Sequence, residues 1–147
     1  MGSLNIPESS IVYVDTSVVI YSVEKFPNYS PLLEPLWLSL SSGNIQIFSS
    51  ELILMETLVV PLRNTDTILI DAYEQLLLSS EIQLIPISQS ILREAANLRA
   101  TTSLRTPDAI HAATAISINC TLFLTNDKSF RNISNLPVVV LSEVLAS

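Results

Sequence analysis

Ile11-Val12-Tyr13-Val14 is an unbroken apolar run that stops at Asp15-Thr16-Ser17. Four consecutive apolar residues leave no side for water, which predicts a strand buried on both faces, followed by a helix start at the polar residues. Runs of the same kind recur at residues 45–49, 81–87, 121–125 and 137–141. Helix-length segments lie between them, at residues 31–40, 51–63, 66–78, 88–101 and 107–118. This alternation predicts an α/β fold of three layers, α/β/α, built on a mostly parallel sheet of four to five strands. No repeat, low-complexity tract or linker divides residues 1–147, so a single domain is expected. In sheets of this kind ligands gather at the carboxyl ends of the strands, where the strand order reverses.

Composition adds a question and several exclusions. The chain is 48% hydrophobic and only 14% charged, with a mean hydropathy of +0.46. No apolar stretch approaches the roughly 18–20 residues that a membrane span needs. The start, Met-Gly-Ser-Leu-Asn-Ile-Pro-Glu, has neither a basic flank nor an apolar core, so it does not read as a secretory signal. A lone Cys120 offers no disulfide framework and suits a reducing cytosol, making a cytoplasmic protein the expectation. Two glycines, Gly2 and Gly43, cannot build a dinucleotide turn or a phosphate-cradling loop. His111 is the only histidine, which excludes a two-histidine acid–base nuclease and a His-rich metal cage. No Gly-x-Ser-x-Gly elbow is present to supply a nucleophile. Whatever chemistry occurs must run on carboxylates.

Four acids stand out. Asp15 closes the first predicted strand and Asp127 follows the fourth, both at the expected ligand edge; either could equally be a helix cap. Asp108 lies in Thr106-Pro107-Asp108-Ala109-Ile110-His111-Ala112-Ala113, where Thr106 reads as the cap and Pro107 as the first helical residue. The helix dipole alone favours an acid there. The alanines that follow let this helix press close to the sheet, holding the acid near the strand ends. Glu56 is flanked at helical spacing by Leu52, Ile53, Val59 and Val60. A carboxylate on so apolar a face must be paired, protonated or metal-bound, and a buried pair with an arginine is the structural alternative. Glu51 lies about 140° round that helix, in a first turn where capping accounts for it. His111, one turn after Asp108, could touch substrate but fits a satisfied structural histidine better. Thr125 and Asn126 could hydrogen-bond the site acids or simply end a strand.

These residues, in this order, resemble the PIN-domain nucleases. The likeness rests on an apolar strand into Val14-Asp15-Thr16-Ser17, a mid-helix Glu56, the Pro107-Asp108-Ala109 helix start, and Phe123-Leu124-Thr125-Asn126-Asp127 before Phe130. The last two segments are similar to those of VapC-type toxins, and the likeness runs from about Val12 to Leu141. The resemblance implies one PIN-like domain that hydrolyses RNA phosphodiester bonds with Mg²⁺ or Mn²⁺. It implies that Asp15 and Asp108 hold the main ion, with Glu56 and Asp127 completing the shell, holding a second ion or orienting water. It also implies an antitoxin partner and a homodimer. Oxygen-only ligands suit hard divalent cations, and four clustered acids cannot all stay ionised without a counter-charge.

The net charge of −7 argues against RNA when taken over the whole chain. A bound cation would invert the field locally, and Lys25, Arg63, Arg105, Lys128 and Arg131 each fall within ten residues of one of the four acids. A receiver domain would need a second acid pair and a lysine after its last strand, and residues 138–147 contain no lysine. A haloacid-dehalogenase phosphatase would need Asp-x-Asp where this chain has Asp15-Thr16-Ser17. A PIN-like RNA-binding module without turnover, or an RNA-processing nuclease outside toxin–antitoxin function, remain the alternatives.

So apolar a chain should leave contiguous apolar surface exposed, notably on residues 31–40 and 67–78, and such patches mark interaction surfaces. Sedimentation at micromolar concentration should therefore give a dimer. A clean monomer that binds no hydrophobic dye would overturn that expectation.

Overall fold

The computed structural model describes residues 2–147. Among them the apolar runs form five strands: β1 (Ile11–Val14), β2 (Gln46–Ser50), β3 (Gln83–Ile85), β4 (Leu122–Thr125) and β5 (Val138–Val140). They make one sheet in the order β3-β2-β1-β4-β5, and each neighbouring pair is parallel. The helices are α1 (Thr16–Val23), α2 (Ser30–Ser41), α3 (Leu52–Arg63), α4 (Thr67–Ser79), α5 (Gln89–Thr101), α6 (Thr106–Ser117) and α7 (Leu141–Ala146). The three-layer α/β/α architecture is the one the pattern predicts.

Strand residues alternate between two cores, as the period of two requires. Val12, Val14, Ile47 and Leu124 face one core, which α1, α2, α3 and α4 close with Val18, Leu33, Leu36, Ile53, Tyr73 and Leu77. Tyr13 and Phe123 face the other, with α5 and α6. These two rings are partners across the β1–β4 ladder and stack at 5.2 Å with planes 3° apart. On α6, Ala109, Ala112, Ala113 and Ala115 are all buried, and the helix lies against α5 and β2. The small side chains bring its axis close to the sheet, as the sequence suggested.

The boundaries differ in instructive ways. Residues 66 and 88 are caps rather than helical residues: the Asp66 carboxylate accepts from the Leu69 N–H and the Ser88 hydroxyl from the Ile91 N–H. Thr106 is not the cap of α6. The cap position is Arg105, without a side-chain bond, and the Thr106 hydroxyl accepts from Arg99 Nη1 at 2.9 Å. Glu51 holds the cap position of α3 but makes no capping bond. The run at 81–87 pairs over only three residues, and Leu141 opens α7 instead of ending a strand.

Exposed apolar side chains lie on both segments expected, Leu38 on α2 and Ile68, at 83% exposure, with Leu78 on α4. They also lie on α3, where Met55, Val59, Val60 and Leu62 are open, a surface the sequence pattern did not single out. Among the described residues no helix is long and apolar enough to cross a membrane.

The seating of α6 has a direct test. Ala112→Leu forces a larger side chain into a fully buried site and should cost about 1–3 kcal/mol, read as a lower denaturation midpoint. An unchanged midpoint would mean that the helix is not held tightly against the sheet.

Candidate functional site

The chain lays β2 and β3 on one side of β1 before returning to place β4 and β5 on the other. The strand order therefore reverses between β1 and β4, and a crevice opens at their carboxyl ends. Asp15 follows β1 and Asp127 follows β4, so the topology alone puts both acids at this crevice. The first turn of α6 brings Asp108 and, one turn on, His111. From α3 comes Glu56. All four acids line one cleft of about 210 Å³, together with Thr16, Ser17, Tyr21, His111 and Asn126.

Asp15 is buried and held from three sides. Its Oδ1 accepts from the Ser17 hydroxyl at 2.6 Å and from the Val18 N–H at 3.4 Å; its Oδ2 accepts from the Thr125 hydroxyl at 2.5 Å. It is thus the cap of α1 and a cleft residue at once, so the two readings of the sequence do not compete. Burial pushes its carboxyl above the ordinary aspartate value, although the bonds from Ser17 and Thr125 and the nearby His111 pull the other way. Asp127 likewise caps the short turn Lys128–Phe130 through the Ser129 N–H at 2.9 Å. Its own N–H donates at 3.0 Å to Thr125 Oγ1, the hydroxyl that donates in turn to Asp15 and so ties the ends of β1 and β4 together.

Asp108 is half-buried. Desolvation raises its carboxyl; Arg105, with Nε 3.5 Å from Oδ2, lowers it, and the charge of Asp127 raises it again, leaving it above the ordinary value. Arg105 itself is largely exposed, so this pair is a weak surface contact.

Glu56 has the partner its apolar flanks demanded, but the partner is not an arginine. Its Oε1 meets His111 Nε2 at 2.6 Å and accepts from the Thr16 hydroxyl at 2.6 Å. Partial burial pushes the Glu56 carboxyl up; the bond and charge of His111 and the bond from Thr16 outweigh it, and the group ends below its ordinary value. The helix face is also less enclosed than its composition suggests, since Val59 and Val60 are exposed. His111 is buried, with Nδ1 2.6 Å from the Tyr13 hydroxyl. It is therefore the satisfied histidine expected, yet one of its two partners belongs to the cleft.

Thr125 touches a site carboxylate, but Asn126 does not. Asn126 donates to the Tyr21 hydroxyl at 3.0 Å and accepts from the Ser142 N–H at 2.8 Å, pinning α1 and α7 to the end of β4. Of the cations close in sequence, Arg105 reaches the cleft acids, whereas Arg131 pairs with Glu143. Sequence reasoning left Thr16, Ser17 and Tyr13 without roles. The first two were signalled by their place one and two residues after Asp15; Tyr13 carried no signal beyond strand alternation.

Among the described residues no three acidic, histidine or cysteine side chains already stand together as a finished metal cage. The donor set nonetheless fits a hard divalent cation: four carboxylates share one cleft, two of them are driven towards the neutral form by burial, and one is further opposed by a neighbouring acid.

The fold is shared with several solved structures. VapBC2 from Rickettsia felis, bound to a promoter DNA fragment, aligns with a TM-score of 0.71 at 21% identity, over 88% of this chain and 98% of that one. A toxin–antitoxin complex from Klebsiella pneumoniae aligns at 0.65 and 24% identity, over 88% and 97%. The sarcin–ricin-loop-cleaving toxin VapC20 from Mycobacterium tuberculosis aligns at 0.68 and 16% identity, over 86% and 98%. Comparison with curated proteins gives no match. The sequence pattern of the PIN domain matches residues 12–136, a span that holds all four cleft carboxylates, and the chain belongs to the PIN-domain family.

Proposed function

We propose that this protein is a metal-dependent endoribonuclease and the toxin of a type II toxin–antitoxin pair. The observation that carries the reading is the convergence of Asp15, Glu56, Asp108 and Asp127, from four separate elements, on one cleft at the strand ends. Asp15 and Asp108 would hold a Mg²⁺ or Mn²⁺ ion, with Glu56 and Asp127 completing the shell or orienting water. PIN-domain nucleases generally use a divalent metal. When bound, such an ion polarises a phosphate oxygen and lowers the pKa of an attacking water.

The protein's own groups supply the rest. Three hydrogen bonds fix Asp15 in place, while Asp108 and Asp127 are less enclosed and present their carboxylates to the cleft. Arg105, exposed beside Asp108, is suited to a substrate phosphate. That one solved neighbour is a sarcin–ricin-loop-cleaving toxin supports RNA as the substrate. That others are toxin–antitoxin complexes supports an antitoxin partner, and the net charge of −7 favours a basic segment in it. The exposed apolar residues of α3 and α4 support a homodimer or a partner surface.

RNA cleavage by the purified protein should vanish in excess chelator and return with Mg²⁺ or Mn²⁺; undiminished cutting in chelator would refute the metal mechanism. End-mapping of the products would identify the cleaved RNA.

Asp15→Asn and Asp108→Asn should lose cleavage and keep the fold. For Asp108 the sign follows from its raised carboxyl: protonation favours the native state, so the charge opposes folding at neutral pH. In chelator at neutral pH, Asp108→Asn should therefore melt at or above the wild-type temperature. That advantage should shrink as the pH falls towards the ordinary aspartate value of 3.8, because the native wild-type carboxyl takes up its proton before the unfolded one does. A variant that unfolds on purification would make Asp108 a structural residue.

A further inference from the structure

Tyr13, His111, Glu56 and Thr16 form a continuous hydrogen-bonded line from the middle of the sheet to the cleft. Resting on the carboxylate site just described, we propose that His111 is a positioning residue: it donates from Nε2 to Oε1 of Glu56, in a tautomer selected by the Tyr13 hydroxyl. Only Oε2 is then left to take a divalent cation or a water.

Oε1 meets two donors at 2.6 Å, Thr16 and His111. A carboxylate oxygen has two lone pairs, so this one is saturated. Among the described residues Oε2 accepts no hydrogen bond. Thr16 Oγ1 also lies 3.3 Å from His111 Nε2, but its single hydrogen is already directed to Oε1. A bare Nε2 would set its lone pair against the carboxylate with no hydrogen between them, so the hydrogen belongs on Nε2.

The other end of the ring is equally constrained. Tyr13 is fully buried, and desolvation keeps its hydroxyl protonated, well above the ordinary tyrosine value. An O–H donated to Nδ1 excludes a hydrogen on that nitrogen in the neutral ring. Among the described residues no buried side-chain nitrogen or oxygen lacks a partner, so the line is complete from strand to cleft. Its anchor is rigid: the Tyr13 ring is stacked on Phe123 and sits edge-on to the imidazole at 5.8 Å. Partners that orient a ligand in this way typically change metal affinity or activity by about 10–100-fold when removed.

The chain has one histidine, so ¹⁵N labelling gives a single imidazole spectrum without assignment. The expected spectrum has hydrogen on Nε2; a neutral ring protonated on Nδ1 alone would overturn the proposal. Two substitutions separate positioning from packing. His111→Gln keeps an amide donor about as far out as Nε2, whereas His111→Asn withdraws it. The Asn variant should lose about 10–100-fold in kcat and in Mn²⁺ affinity, with KM for RNA little changed, and the Gln variant should recover most of both. A purely structural histidine would instead lower the melting temperature in both variants and leave Mn²⁺ affinity per folded molecule as in the wild type. If His111→Asn fails to fold, Tyr13→Phe decides: weaker Mn²⁺ binding supports the proposal, and unchanged binding overturns it. The spectrum and the Mn²⁺ titration need no substrate, so a wild-type protein that never cleaves RNA would remove the nuclease reading and leave this test standing.

Discussion

The close approach of α6 to the sheet is the constraint on which the cleft depends. Four buried alanines allow that approach, and the helix so seated delivers both Asp108 and His111 to the strand ends. The same approach closes the hydrogen bond between Tyr13 and His111, which joins the central strand to the helix across the core. Backbone placement, side-chain burial and the orientation of Glu56 on a different helix are thus three results of one seam of small residues. A parallel sheet covered on both faces leaves its strand ends as the natural meeting place for polar side chains, and here they are filled in that way.

Acids so placed oppose the fold that holds them. Asp15 and Asp108 are both driven towards the neutral form by burial, and Asp127 adds repulsion at Asp108. What restrains the cost is hydrogen bonding rather than charge pairing. Ser17, Val18 and Thr125 surround Asp15, and Thr16 and His111 share Glu56. Hydroxyls and a ring N–H satisfy an anion without neutralising it. The cleft is therefore left rich in negative charge, as a cation site needs to be.

Much of this was legible along the chain, because the strongest signals are local. The apolar run at Ile11–Val14, the alternation of strands and helices, the alanine face of α6 and the positions of Asp15, Asp108 and Asp127 all follow from neighbours in sequence. Glu56 was singled out by its apolar flanks, of which Val59 and Val60 prove exposed; it does have a partner, but that partner lies 55 residues away and no local rule could name it. Tyr13 read as an ordinary core residue because its ring is one; only its hydroxyl, meeting a helix from the far side of the chain, gives it another role. Helix starts slipped by a residue where a side chain caps from outside, as at Asp66 and Ser88, or where Pro107 stands second rather than first. Strand 81–87 shrank because an edge strand pairs on one side only and has no second neighbour to extend it.

The two edges of the sheet, β3 and β5, are also its shortest strands, with three residues each. An edge strand exposes a row of unpaired backbone groups that can template the addition of a foreign strand, and the hazard grows with its length. Three residues offer too short a ladder to hold such an intruder. A chain with nearly half its residues apolar carries a standing risk of aggregation, and truncated borders confine its sheet to the strands it was built with.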